Sequence, residues 1–200
     1  MSTLQPAARS SSRVSTTLRF DTLSITLHWL TALSVLAAFV LGPGDFGSFV
    51  RANGHPAERP DIVAHETLGV TVLLLTLVRL LWIAIRPGAP EQPIAPWMRI
   101  ASKLVQAALL ALCLLLPFTA VLALIRQSQA VTLLGGVQLD PAALTFLHSI
   151  ASSVRWGGIH GLLGDVLIWL AAGHAGAALM HRYVFHDGVL QSMLPWRSKG

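Results

Sequence analysis

Charge is what this sequence has least of: Asp, Glu, Lys and Arg make up only 12% of its 200 residues, where a soluble domain carries about a quarter. A chain this poor in charge does not face water on all sides. Cysteine is nearly missing too. The single Cys113 lies inside an apolar run, which excludes an internal disulfide. Acids are fewer than bases, and the net charge is +5. The basic residues do not gather on a polar segment with interleaved aromatics, so a nucleic-acid partner is excluded.

What is present instead is apolar sequence in long runs. Hydrophobic residues make up 54% of the chain. Four segments stand out, at about 23–41, 62–85, 100–125 and 159–184. Each is 19 to 26 residues long, and about 20 cross the hydrocarbon core of a bilayer. Lipid offers no partner to a free backbone amide, so such runs must be helices. The fold class read from this pattern is all-α: an integral-membrane four-helix bundle. The stops GPGDFG and RPGAP are helix breakers, and Pro117 marks a kink inside the third run. The stretch LDPAALTFLHSIASSV, in the long loop before the fourth run, reads as a short surface helix.

Residues 1–20, rich in Ser, Thr and Arg, read as a flexible polar tail, with no cleavage signal after the first apolar run. An organellar presequence shares that composition and is the lesser reading. Residues 197–200 form a short C-terminal tail, and residues 21–196 the membrane domain. Loop charge sets the expected orientation. Arg9, Arg13, Arg19, Arg86, Arg99, Lys103, Arg182, Arg197 and Lys199 fall on one side of the bundle. Arg51, Arg59, Arg126 and Arg155 fall on the other. By the positive-inside rule both termini are cytoplasmic and the protein is a multi-pass inner-membrane protein. Trp97, Trp156 and Trp196, near helix ends, read as interface anchors in contact with membrane lipid.

The histidines carry the chemistry. His160 and His174 are fourteen residues apart, nearly four whole turns, and so share one face of the fourth helix. They differ in depth by about 21 Å. His65 matches the outer depth of His160, and His28 the inner depth of His174. Two imidazoles from different helices at one depth can supply both axial ligands of a haem iron. The chain therefore predicts two stacked haems, His65 with His160 outside and His28 with His174 inside. No CxxCH motif occurs, so covalent c-type attachment is excluded. Arg79, fourteen residues after His65, falls on the same face at the inner depth, where a haem propionate is a natural anion for it. Gly69, Gly161, Gly164, Gly173 and Gly176 leave room for flat macrocycles. Glu66 is read as orienting His65 or taking protons at the outer rim. Asp165 is read as a proton relay or the partner of a nearby hydroxyl. His55, His148 and His186 are read as solvated. His181, seven residues beyond His174 on the same face, is a candidate substrate contact beneath the inner pair.

These residues resemble the bacterial cytochrome b561 group of small four-helix di-haem membrane proteins. The resemblance runs from about Phe20 to Pro195. It rests on LSITLHWL, IVAHETLGVTVLLLTLVRLLW, LLPFTAVLAL and above all HGLLGDVLIWLAAGHAGAALMHRYVFHDGVLQSMLP. It implies two haem b held by His28, His65, His160 and His174, a propionate role for Arg79, and a quinone contact at His181. It also implies single-electron transfer between an outer-face donor, superoxide in the best-defined case, and ubiquinone, which would make the chain an oxidoreductase of the respiratory membrane. The chain departs from many relatives at Gln106 and Leu110, where they carry His and Tyr. It departs again at Arg182 and Ser192, where His and Arg are frequent. Two other readings stand beside this one: a cytochrome b subunit anchoring a dehydrogenase or hydrogenase, and a non-redox or metal-binding membrane bundle.

Overall fold

The computed structural model describes residues 19–86, 88, 90, 94–140 and 144–195. The expectations for the two tails, with Arg9, Arg13, Trp196, Arg197 and Lys199, lie outside the described residues. Four long helices form the bundle: α1 (Thr22–Val40), α3 (Pro60–Ile85), α4 (Pro96–Gln127) and α6 (Trp156–Met180). All four are long and apolar enough to cross a membrane. Between α1 and α3 lies a short helix, α2 (Phe46–Arg51), and between α4 and α6 another, α5 (His148–Ser153). A last short helix, α7 (Val189–Ser192), follows a π-helical turn at His181–Phe185.

Helix starts follow local chemistry. The side chain of Asp21 caps α1 by accepting from the Ser24 amide at 2.8 Å, an arrangement generally worth about 1 kcal/mol. Proline at the first turn opens α3 and α4, where a missing N–H costs nothing. That is why α4 begins at Pro96, one turn before the apolar run from Ile100. Arg59, just ahead of α3, spans Asp45 and Asp61, tying the α2 loop to the helix start. Inside the helices the hydroxyls of Thr31, Thr67, Thr71 and Thr76 each donate to the carbonyl four residues back. Their polarity is thereby satisfied within the span.

Helix α1 packs on α3 and α4 packs on α6, and the pairs join through α3 and α4, while α1 and α6 scarcely touch. The mid-bundle core is Val72, Leu112, Cys113 and Leu167. A second cluster, Leu122, Ile125 and Ala151, seats α5 against the end of α4. Large apolar side chains such as Leu33, Leu81, Leu104 and Trp169 point outward, as lipid requires and water would penalise.

Not foreseen from sequence is a two-stranded antiparallel hairpin, β1 (Val131–Thr132) with β2 (Gln138–Leu139). Its turn uses Gly135 and Gly136 at φ 90° and 80°, where a side chain would be strained. Both described chain ends meet at one face of the bundle. There Phe20 N–H donates to Ser192, the Trp29 indole to Met193 and Arg19 to Leu194. This is called the terminal face below, and the face with α2, the hairpin and α5 the loop face.

Candidate cofactor sites between the helices

The four candidate histidines meet in two pairs. At the loop face His65 of α3 and His160 of α6 have ring centroids 6.0 Å apart, with planes at 79°. Toward the terminal face His28 of α1 and His174 of α6 have centroids 6.4 Å apart, with planes at 70°. All four are half-buried. An imidazole nitrogen binds a first-row metal at about 2 Å and sits about 1.2 Å from its own ring centroid, so two rings on opposite sides of one iron have centroids roughly 6.3 Å apart. Both pairs have the spacing a bis-histidine haem needs.

The outer rings are held by main-chain carbonyls. His65 Nδ1–H donates to the Ala38 carbonyl at 2.7 Å. That carbonyl is free because α1 stops at Gly42-Pro43, and the Gly42 amide turns to Phe39 instead. His160 Nδ1–H donates to the Leu116 carbonyl at 3.0 Å, with the Thr119 hydroxyl oxygen 3.3 Å away. A carbonyl accepts only, so both rings carry their proton on Nδ1 and keep Nε2 for a metal. Among the described residues neither His28 nor His174 has a hydrogen-bond partner.

The inner pair borders a gap shared with Arg79, Thr31, Gln106 and Leu110. Arg79 has neither a hydrogen bond nor an ion pair among the described residues. A cation in an apolar bundle without an anion is costly, and an acidic group placed in the gap would relieve that cost. Gln106 and Leu110 face this same gap. No Cβ added at Gly69, Gly161, Gly164, Gly173 or Gly176 would meet a heavy atom within 4 Å. These residues fit a flat prosthetic group.

Two acids sit elsewhere than the sequence reading put them. Glu66 does not orient His65; its carboxylate accepts the Thr132 amide at 2.6 Å, and the neighbouring Thr67 hydroxyl oxygen accepts the Leu134 amide at 2.9 Å. Both bonds fix the hairpin against α3. Asp165 is exposed and has no hydroxyl partner among the described residues. On α6 it lies opposite the stripe of Leu163, Leu167 and Leu170 that packs into the core. His55, His148 and His186 are exposed.

His181 lies at the terminal face, half-buried, and has a partner the sequence reading missed. Its Nδ1 is 2.5 Å from Asp187 Oδ2. The signal for that partner was the HDG tripeptide, a turn six residues on that brings its acid back to the helix end. Among the described residues no three His, Cys, Asp or Glu side chains converge as a metal cluster.

Comparison with known proteins agrees with this architecture. The family model for prokaryotic cytochrome b561 matches residues 19–196. A cytochrome b562 of Cereibacter sphaeroides is 32% identical over 177 residues, covering 88% of this chain and 94% of that protein. Cytochrome b561 homolog 2 of Escherichia coli is 25% identical over 177 residues, covering 88% and 91%. A four-helix apolar bundle, a family match across nearly its whole length and relatives that are cytochromes lead to one conclusion: the chain belongs to the prokaryotic cytochrome b561 family and is a multi-pass inner-membrane cytochrome b of electron transfer.

Proposed function

We propose that the chain holds two haem b groups, one between His65 and His160 and one between His28 and His174, and passes single electrons from a donor at the loop face to ubiquinone at the terminal face. The observation that carries the reading is the double pairing, 6.0 Å and 6.4 Å between ring centroids, at two depths of one bundle. Haem supplies reversible one-electron chemistry when bound. The chain's own work is to position and tune it. Ala38 and Leu116 fix the outer rings by their Nδ1 protons. Arg79, in the inner gap, would hold a haem propionate. The helices around the pairs exclude water from the route between them.

The loop face is then periplasmic and the terminal face cytoplasmic, as the loop charges favour. The donor side favours a small anion such as superoxide. Arg155 stands exposed at the start of α6, at the loop-face end that carries His160. On the acceptor side His181 is the quinone contact, on the same face as His174 and about two turns below it.

Detergent-purified protein, reduced with dithionite, tests the reading. A pyridine haemochrome assay is expected to give two haem b per chain, and superoxide is expected to drive ubiquinone reduction. A colourless protein from a haem-replete host would sink the ligand assignment. A coloured protein inert to superoxide would leave the haems and remove the donor.

A further inference from the structure

We infer that Asp187 is the positioning residue of the quinone site, fixing the tautomer of His181 so that Nε2 is the atom that exchanges a proton with the quinone oxygen. The inference rests on the quinone reading of His181 and adds a residue to it.

Three features of the backbone serve this one contact. Helix α6 ends in a π-helical turn that begins at His181, a rare form that concentrates at functional sites. His186 follows at φ 53°, left-handed in a residue that has a Cβ, and Gly188 at φ 80°. Residues with a Cβ are disfavoured in that region and persist where the surrounding structure requires them. The double reversal folds Asp187 back under the helix end, where its two oxygens divide the work. Oδ2 faces His181 Nδ1 at 2.5 Å, and Oδ1 accepts the Val189 amide at 3.2 Å, which starts α7. Helix α7 is pinned in turn, since Ser192 is buried and its carbonyl accepts the Phe20 amide. Asp187 therefore has no freedom to swing away. Both side chains of the pair are only 15% exposed.

The chemistry follows from the donor and acceptor pattern. A carboxylate only accepts, so His181 Nδ1 keeps its hydrogen, and Nε2 is the ring nitrogen without a hydrogen-bond partner among the described residues. With Nδ1–H held by the carboxylate, Nε2 is the atom through which a proton passes from water to a quinone oxygen. Quinone reduction takes two electrons and two protons: 2 D + Q + 2 H+ gives 2 D+ and QH2, where D is the one-electron donor. His181 delivers a proton from Nε2 and is reprotonated by water at the exposed terminal face. The electrons come from D across the bundle.

The test is stopped-flow reoxidation of dithionite-reduced, full-length protein by a short-chain ubiquinone, which requires no outer-face donor. The His181→Ala, Asp187→Asn, Asp187→Glu and His181→Ala/Asp187→Asn proteins are compared at equal haem content. Asparagine can still accept the Val189 amide, so the turn is kept while the charge is lost. His181→Ala and Asp187→Asn are each expected to slow reoxidation on the order of tenfold or more. The quinone concentration at half-saturation should stay within about twofold and the solvent deuterium isotope effect should rise, which a structural role would not cause. The double variant should be no slower than His181→Ala, and Asp187→Glu should recover most of the rate. A wild-type rate in His181→Ala would overturn the quinone reading and this proposal with it. A slow His181→Ala beside a wild-type Asp187→Asn would leave the site and remove Asp187 from it. Additive losses in the double variant, or an Asp187→Glu protein as slow as Asp187→Asn, would also overturn the role assigned to Asp187.

Discussion

His65 and His160 face each other across the bundle with each Nδ1 proton already given to a main-chain carbonyl, that of Ala38 for one and Leu116 for the other. His28 and His174 face each other at nearly the same separation with no such partner among the described residues. The two pairs are alike in spacing and unlike in surroundings. Hydrogen bonding to the distal nitrogen makes an imidazole a stronger donor to a metal. A neighbouring cation, Arg79, borders only the inner pair.

Replacing one member of a pair should remove one haem and leave the other. His160→Ala and His174→Ala are each expected to purify with one haem per chain by pyridine haemochrome, with the reduced spectrum losing one of two components. Retention of two haems in either variant would mean that the ring is not a ligand.

Removing the Arg79 charge should be felt at the inner site. Reduction adds an electron, which a nearby cation favours. Arg79→Gln is therefore expected to lower one of two midpoint potentials in a redox titration and leave the other nearly in place. Equal shifts in both would show that Arg79 acts on the bundle as a whole.

The hairpin's attachment to α3 depends on Glu66. Truncating it to Ala leaves the Thr132 amide without its charged acceptor, a loss of roughly 1.5–3 kcal/mol for bonds of this kind. Limited proteolysis within residues 131–139 should accelerate on the order of tenfold. An unchanged cleavage rate would mean that Thr67 and the turn glycines suffice to hold the strand.

At the terminal face Asp21 joins the start of α1 to the end of α3, accepting from the Trp82 indole at 3.0 Å and from Arg86 at 3.3 Å. Partial burial acts to raise its pKa, but the Ser24 amide and hydroxyl, Trp82 and Arg86 outweigh it and hold the carboxyl at about 2. A carboxylate with a depressed pKa lends stability that is fully present above the ordinary value near 4 and lost as pH falls toward the folded value. Asp21→Asn should thus lower the melting temperature modestly at neutral pH, the carboxylate being partly exposed and screened. The difference from the parent should shrink between pH of about 4 and about 2. A difference that holds constant across that window would assign the effect to capping geometry alone.

Several features were legible before any tertiary information. Four apolar runs with Pro and Gly between them can only be helices in lipid, because the backbone has no other way to satisfy itself there. The positions of His65, His160, His28 and His174 along those helices decide their depth and face, because rise and turn per residue are constants of the helix. Arg79 falls beside the inner pair for the same reason. The ends of the helices were less clear: Pro96 extends α4 by a turn that hydropathy alone does not mark.

Other features were set by where the non-helical segments return. Glu66 lies next to His65 in sequence yet bonds the hairpin, since the loop from α4 folds back over α3 at that point. Asp165 sits between His160 and His174 yet points away from both, because α6 gives its leucine stripe to α4. The carbonyls of Ala38 and Leu116 and the carboxylate of Asp187 find their histidines only once helices and turns are packed. Helical periodicity places a residue on a face and at a depth with no knowledge of its neighbours. The hydrogen bond that fixes a ring's tautomer depends on a second segment, and only the folded chain brings that segment within reach.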